Sequence, residues 1–166
     1  MTGDELQVFI SSIMRTVELA DERKAAIEVI DSNPYLKAWH WEKCACAGPF
    51  PPMDLCLAAV AESHMLILLL ESDITANTRK EHELAVKRGI PDMIFVKVGT
   101  LPKKVQSYLK RHQRRATYLR FSNTNELRTM ISDSVRHQIL SAYRAQMQPR
   151  LGTQVSYSDA KGEARS

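Results

Sequence analysis

Short apolar runs alternate with amphipathic stretches along most of the chain. Five runs have the length and composition of strands: Leu6–Ser11, Leu36–Trp41, Met65–Leu70, Met93–Val98 and Thr117–Phe121. Apolar residues at helical spacing predict a helix after each run. Strands and helices that alternate in this way indicate a parallel sheet with helices on both faces. The pattern therefore predicts a single α/β domain with a five-stranded parallel sheet.

Right-handed crossovers favour the strand order 2-1-3-4-5 for such a sheet, which is the order of the flavodoxin-like fold. In this order, ligands bind outside the carboxyl ends of strands one and three, where the strand order reverses. The loops from Ser11 to Arg15 and from Glu71 to Asn77 border that crevice, and the helix expected to begin at Thr78 lies just beyond it. This crevice is the candidate site.

Composition narrows the class of protein further. The 166 residues are enough for one domain, which we assign to residues 1–147, with a polar, flexible tail at 148–166. No apolar run is long enough to span a membrane, and the acidic N-terminus is unlike a signal peptide. Three cysteines, an odd number, argue against a secreted disulfide framework. These features predict a cytoplasmic protein without a membrane partner.

Several motifs resemble those of a widespread TIR-like domain family. The matching segments are Phe9–Ser12 with Arg15, Glu22–Ala26, Cys56–Leu57, Val60–Ser63, Thr78-x-x-Glu81-x-x-x-Ala85, Gly89–Pro91 and Tyr118–Leu127. Most members of this TIR-like family have no known function, and the domain often stands at the N-terminus of larger ATP-dependent regulatory proteins. Its wider superfamily includes TIR domains and nucleoside 2-deoxyribosyltransferases.

The resemblance implies a reaction and a catalytic residue. Many members of the superfamily cleave the N-glycosidic bond of NAD or a nucleoside, with one glutamate at the start of the helix after strand three. Glu81 occupies that motif position. The resemblance thus implies an NAD glycohydrolase or cyclase, with NAD as substrate rather than cofactor. It also implies self-association or a partner protein, and a role in bacterial immunity.

Two interpretations of Glu81 are open. Breaking the C1′–N bond builds positive charge on the ribose, which a fixed carboxylate stabilises or attacks. Thr78-x-x-Glu81 also has the spacing of a capping box, in which the glutamate merely accepts a hydrogen bond from a backbone N–H at the helix start.

The candidate substrate-binding residues surround the same crevice. Ser11, Ser12 and Arg15 follow the first strand, where hydroxyl and guanidinium groups suit ribose and phosphate. Trp41 ends the second strand and offers an aromatic face to a base. Asp73 is either a second carboxylate or a turn residue. Thr78, at the start of the helix that carries Glu81, completes the set.

Other sequence features point to weaker alternatives. His40, Cys44, Cys46 and Cys56 lack the spacing of a standard zinc site, so no metal is predicted. The basic helix from Lys103 to Arg115 lacks interleaved aromatic residues, so nucleic acid is not the expected partner. Two functional alternatives stay open: a non-catalytic interaction or nucleotide-sensing module, and a nucleoside 2-deoxyribosyltransferase.

Overall fold

The computed structural model describes residues 3–14 and 17–155, with side chains as far as residue 148. The strands are β1 (Leu6–Ser11), β2 (Leu36–Trp39), β3 (Met65–Leu70), β4 (Asp92–Lys97) and β5 (Tyr118–Phe121). The helices are α1 (Ala20–Asp31), α2 (Trp41–Cys44), α3 (Pro52–Glu62), α4 (Ala76–Lys87), α5 (Lys103–His112) and α6 (Thr124–Val155).

The five strands form one parallel sheet in the order β2-β1-β3-β4-β5. The predicted class and strand order are therefore confirmed. β3 lies at the centre, and all six of its residues are buried, as expected for a parallel strand covered on both faces. Phe9 of β1 pairs with Trp39 of β2 on one side and with Leu66 of β3 on the other.

Local sequence explains both ends of α4. The Thr75 side chain accepts a hydrogen bond from the Thr78 backbone N–H and so caps the first turn. After the last turn, Gly89 adopts a positive φ of 69°. The backbone N–H groups of Gly89 and Ile90 then donate to the carbonyls of Val86 and Ala85, which is a Schellman motif. α4 is thus fixed at both ends, and with it the position of every side chain that it carries.

The structure differs from the sequence prediction at two places beside the crevice. The second strand ends at Trp39, and Trp41 begins the short helix α2 instead of ending the strand. α4 begins at Ala76, two residues before the predicted start at Thr78. Both differences affect candidate site residues, because Trp41 lies in a helix instead of a strand and Thr78 lies within the first turn of α4.

The C-terminal part of the chain is helical beyond the predicted domain boundary. α6 continues to Val155, past residue 147, so residues 148–155 belong to a helix. Residues 156–166 lie outside the described part, and the flexibility of the tail stays a prediction. The chain divides into two compact units, Met1–Ser132 and Asp133–Ser166, and the sheet belongs to the first. Within the described residues, no helix is both long and apolar enough to cross a membrane.

Candidate functional site

A cavity of about 410 Å³ lies beside the carboxyl ends of β1 and β2 and the N-terminal halves of α3 and α4. Its volume is within the range of small-molecule sites. The residues that line it are Phe9, Ile10, Ser12, Met14, Trp39, Trp41, Pro52, Met53, Cys56, Thr75, Asn77, Thr78 and Glu81. Four of the seven predicted site residues, Ser12, Trp41, Thr78 and Glu81, are therefore brought to one cavity.

Glu81 presents a buried carboxyl group to this cavity. Only 8% of the residue is exposed. The Ser11 hydroxyl, at the end of β1, donates a hydrogen bond to Glu81 Oε2 at 2.5 Å. Burial raises the pKa of Glu81 to about 7, and hydrogen bonds from Ser11 and Cys56 partly oppose that rise. The carboxyl group is thus held in place by neutral donors.

The capping-box interpretation of Glu81 is wrong. The N-cap of α4 is Thr75, and the third residue of the helix is Thr78, whose backbone N–H bonds to Thr75 Oγ1 at 3.2 Å. Glu81 therefore lies three residues beyond the position from which a side chain reaches back to the cap. The two threonine hydroxyls, 2.9 Å apart, complete the cap without it. Glu81 instead accepts a hydrogen bond from Ser11 of β1, which is a tertiary contact and has no part in capping α4.

Ser11 and Ser12 have different surroundings, because Ser11 is the last residue of β1 and Ser12 is the first residue of the loop that follows. Ser11 is 1% exposed and contacts Glu81, whereas Ser12 lines the cavity. Ser12 Oγ has two long contacts of 3.5 Å, to the Ile13 carbonyl oxygen and to Arg23 Nη1. Arg15, the third predicted residue of this loop, lies outside the described residues.

An ion pair holds the β1 loop against the end of β2. Arg23 of α1 donates from Nη1 to the Ile13 carbonyl at 2.8 Å and from Nε to Glu42 Oε1 at 3.0 Å. His40 Nδ1 lies 3.2 Å from the other oxygen of Glu42. These contacts lower the pKa of Glu42 against the effect of its partial burial, which raises it. They also place Trp41, between His40 and Glu42, at the cavity.

The aromatic wall of the cavity follows from strand register. Phe9 and Trp39 are directly opposite each other on β1 and β2, and their rings stack with centroids 4.7 Å apart. Trp41, two residues further on, is half-buried and lines the same cavity. Trp39 is thus a cavity residue as well.

Asp73 is not brought to the cavity. Its Oδ1 accepts hydrogen bonds from the Ile74 backbone N–H and from Lys104 Nζ, each at 2.8 Å. This arrangement corresponds to the turn-holding alternative for Asp73. Lys104 belongs to the basic helix α5, in which Arg111 also contacts an acid, Glu83, at 3.8 Å.

Cys56 and Asn77 are cavity residues that the sequence did not single out for substrate binding. Burial raises the pKa of the Cys56 thiol to about 11, and the neighbouring Glu81 carboxylate adds to the effect. The thiol therefore stays protonated and donates a hydrogen bond to Glu81. Among the residues that the structure describes, no three His, Cys, Asp or Glu side chains lie close enough together to hold a metal ion.

Comparison with solved structures shows the fold. A metal-soaked Flv1 flavodiiron core from Synechocystis sp. PCC6803 is similar over 82% of this chain, with a TM-score of 0.55 and 10% identity. This chain covers 37% of the length of that structure. A conserved protein from Enterococcus faecalis V583 is similar over 78% of this chain and 99% of its own, with a TM-score of 0.54 and 12% identity. Identities this low carry no information about activity.

Comparison with sequences shows the family. No curated protein matches the chain. Residues 7–136 match the family described as Domain of unknown function (DUF4062). The matched range includes all the residues that line the cavity and the whole sheet apart from Leu6. The chain therefore belongs to the DUF4062 family.

Proposed function

We propose that this domain is a TIR-like enzyme that cleaves the N-glycosidic bond of NAD or a related nucleotide. The observation that carries the proposal is the Glu81 carboxyl group, which lines a cavity of about 410 Å³ and has no capping role. Glu81 lies in the helix after β3, in the motif Thr78-x-x-Glu81 in which the sequence resemblance implies a catalytic glutamate.

The chemistry needs a carboxylate at the ribose. The bond between C1′ and the nicotinamide nitrogen breaks, and its electron pair leaves with nicotinamide, which becomes neutral. The Glu81 carboxylate stabilises the positive charge that develops at C1′ or attacks C1′ to form an ester. Water then adds to C1′ and loses a proton, which gives ADP-ribose. If an adenine nitrogen takes the place of water, the product is cyclic ADP-ribose.

Other residues of the cavity suit the remaining parts of such a substrate. Ser12, Asn77 and Thr78 line the cavity together with Glu81, and their hydroxyl and amide groups are suited to bind ribose hydroxyls. Trp41 presents an aromatic face to the base. Ser11 does not line the cavity and acts through Glu81 as a positioning residue.

The test is the release of nicotinamide from NAD by the purified full chain at high protein concentration, because TIR-like enzymes often need to assemble. The variant is Glu81→Gln, and the matched control is Glu83→Gln, an exposed glutamate on the same helix. We expect Glu81→Gln to lower the rate by roughly 10²-fold or more, since it removes the charge that stabilises the ribosyl cation. Glu83→Gln keeps the wild-type rate.

Three results would contradict the proposal. If Glu81→Gln retains activity, Glu81 is not the catalyst. If NAD binds without turnover at any protein concentration, the domain is a nucleotide-sensing module. If the protein exchanges bases between deoxynucleosides but does not cleave NAD, it is a deoxyribosyltransferase.

A further inference from the structure

Two of the three cysteines lie close together near the surface, in and just after α2. Cys46 is exposed and Cys44 is partly exposed, and one residue separates them. A free cysteine is ordinarily among the most buried residues, because its thiol behaves as a small apolar group. The third cysteine, Cys56, lines the cavity and donates to Glu81. Neither burial nor a contact with Glu81 accounts for the other two.

The backbone keeps the two thiols within reach of each other. Cys44 ends α2, and Ala45 follows it in an extended conformation with φ −68° and ψ 130°. Two residues of extended chain span at most about 7 Å between Cα atoms. Disulfides usually join Cα atoms about 4.4–6.8 Å apart. Cys46 Sγ already lies 3.7 Å from the carbonyl oxygen of Cys44. A small rotation about the Ala45 backbone therefore allows the two sulfur atoms to bond.

Ala45 also connects this pair to the cavity. α2 is a single turn, and its last backbone hydrogen bond runs from the Ala45 N–H to the Trp41 carbonyl at 3.2 Å. The Cys44 thiol donates to the Ala38 carbonyl of β2 at 3.8 Å. A bond between Cys44 and Cys46 turns the first sulfur away from Ala38 and changes the torsions of Ala45. It therefore breaks one contact of α2 and strains the bond to Trp41, which lines the cavity.

We propose that Cys44 and Cys46 are a reversible redox pair: oxidation joins their sulfur atoms in a disulfide, which displaces Trp41 from the cavity wall. An exposed thiol beside a second, resolving thiol is the usual arrangement of a redox sensor. The oxidant is a small disulfide such as oxidised glutathione. The Cys46 thiolate attacks it, forms a mixed disulfide and expels one glutathione thiolate, and the Cys44 thiolate then attacks Cys46 Sγ and expels the second. The two thiol protons end on the departing thiolates, and excess reduced glutathione reverses both steps.

Cys56 is protected from this exchange. Burial raises the pKa of its thiol to about 11, and the Glu81 carboxylate adds to the effect. Because the thiolate is the nucleophile in thiol–disulfide exchange, a thiol that stays protonated at neutral pH reacts slowly. Cys56 is therefore an internal reference, and one thiol per chain should survive oxidation.

The first measurement counts thiols in the full chain. The protein is incubated with oxidised glutathione, the remaining thiols are alkylated, and the intact mass is measured. We expect the free thiols to fall from three to one per chain, with no glutathione attached, and dithiothreitol to restore all three. Cys56→Ser should lose both of its thiols, which assigns the bond to Cys44 and Cys46. Cys46→Ser is the matched control, because it cannot close the ring.

The second measurement shows whether the bond moves Trp41. The chain has two tryptophans, so Trp39→Phe leaves Trp41 as the one fluorophore. We expect oxidation to shift its emission to longer wavelength, because the indole leaves a half-buried position for water. Reduction should restore the original spectrum. The double variant Trp39→Phe, Cys46→Ser should show no shift under the same treatment.

Three results would overturn the inference. Disulfides between chains, or a mixed disulfide that never closes, would mean that the two thiols do not reach each other. A bond that includes Cys56 would mean that the pair is a different one. A closed ring with unchanged Trp41 emission would mean that oxidation is not coupled to the cavity. None of these measurements uses NAD, so their outcome is independent of the proposed function.

Discussion

A hydrogen bond from Ser11 helps to hold the Glu81 carboxyl group in its orientation at the cavity. Ser11 Oγ donates to Oε2 at 2.5 Å, and because β1 is buried at this point, no water replaces the hydroxyl easily. The bond favours the ionised carboxyl group and so opposes the rise in pKa that burial causes. Ser11 thus helps to orient the group that the proposed reaction uses, together with Cys56, and partly offsets the effect of burial on its protonation.

Replacing this serine should move the pH dependence of the site. In Ser11→Ala the carboxylate loses a donor, so the pKa of Glu81 rises further and the ionised form appears only at higher pH. We expect the midpoint of the pH–rate profile to move upward by roughly one pH unit. A carboxyl-carbon NMR titration of Glu81 measures the same change without activity.

The control for this change is Ser63→Ala. Ser63 is also buried, and its hydroxyl donates to the Ala59 carbonyl at 2.7 Å, away from the cavity. It should lower stability without moving the midpoint. An unchanged midpoint in Ser11→Ala would show that Ser11 does not control the protonation of Glu81.

The sequence predicted the residues of the site better than their contacts. Glu81 and Ser11 belong to short motifs, so the sequence alone singles them out as candidate site residues. The segment Thr75-Ala-Asn-Thr78 contains two threonines, and each is a good N-cap. Which threonine caps α4 depends on where the helix packs, and that decides whether Glu81 is a cap or a cavity residue. Local spacing alone does not contain this information.

Among the elements, α4 carries Glu81 at the cavity and also contacts β4 and α5 through the next residue, His82. Its buried His82, next to Glu81, lies between the Tyr108 hydroxyl of α5 and Asp92 Oδ2 of β4, each at 2.6 Å. Arg115 donates to both oxygens of Asp92 at 2.7 Å. These bonds hold the Asp92 pKa well below its usual range, although partial burial raises it. The network therefore fixes α4 against β4 and α5.

Removing the Asp92 carboxylate should weaken this network in a pH-dependent way. Because the pKa of Asp92 is lowered on folding, its contribution is present above the unfolded pKa of about 4 and decreases as pH falls further. We expect Asp92→Asn to lower the free energy of unfolding by about 2–3 kcal/mol at pH 7. Urea denaturation at pH 7 and pH 3 should show the difference narrowing at the lower pH.

The exposed Asp133 supplies the control. It pairs with Arg136 on the surface of α6 at 3.3 Å, a type of contact that contributes little. Asp133→Asn should change the unfolding free energy by less than about 0.5 kcal/mol at either pH. A difference between wild type and Asp92→Asn that is the same at both pH values would show that the charge of Asp92 is not what stabilises the network.

The second strand ends two residues earlier than predicted, which shows that the sequence pattern does not determine where an element ends. An alternating pattern continues through Trp41, and it predicted a strand to that residue. The sheet ends earlier because the pairing of β2 with β1 stops at Trp39. Beyond it, His40 and Arg23 both bond to Glu42, and the chain turns into α2. Arg23 is distant in sequence, so its influence on this turn was not predictable locally.

For the whole molecule, the order of the sheet was predictable because few topologies satisfy the pattern. Five strands with helices between them permit right-handed crossovers in a small number of orders. The uniformly apolar run from Met65 to Leu70 had to be central, and it is. The cavity was not predictable in the same way, because its walls come from five elements, β1, β2, α2, α3 and α4, whose distances depend on packing.

Glu81 should also make the stability of the whole domain depend on pH. Its pKa rises from the ordinary value of 4.5 to about 7 on folding, so the folded protein binds the proton more tightly. Stability therefore falls as pH rises between these values, by as much as about 3 kcal/mol. Glu81→Gln removes the titrating group. We expect this variant to be more stable than wild type at pH 8 and similar to it at pH 4.5.

Urea denaturation at the two pH values measures this effect, with Glu83→Gln as the control that changes neither. A more stable but inactive Glu81→Gln would mean that the chain keeps an acid in its cavity at a cost to its own folding, as expected of a group retained for chemistry. If the variant is instead no more stable than wild type at pH 8, burial does not disfavour the ionised carboxyl group of Glu81, and the cavity holds this acid at no cost to folding.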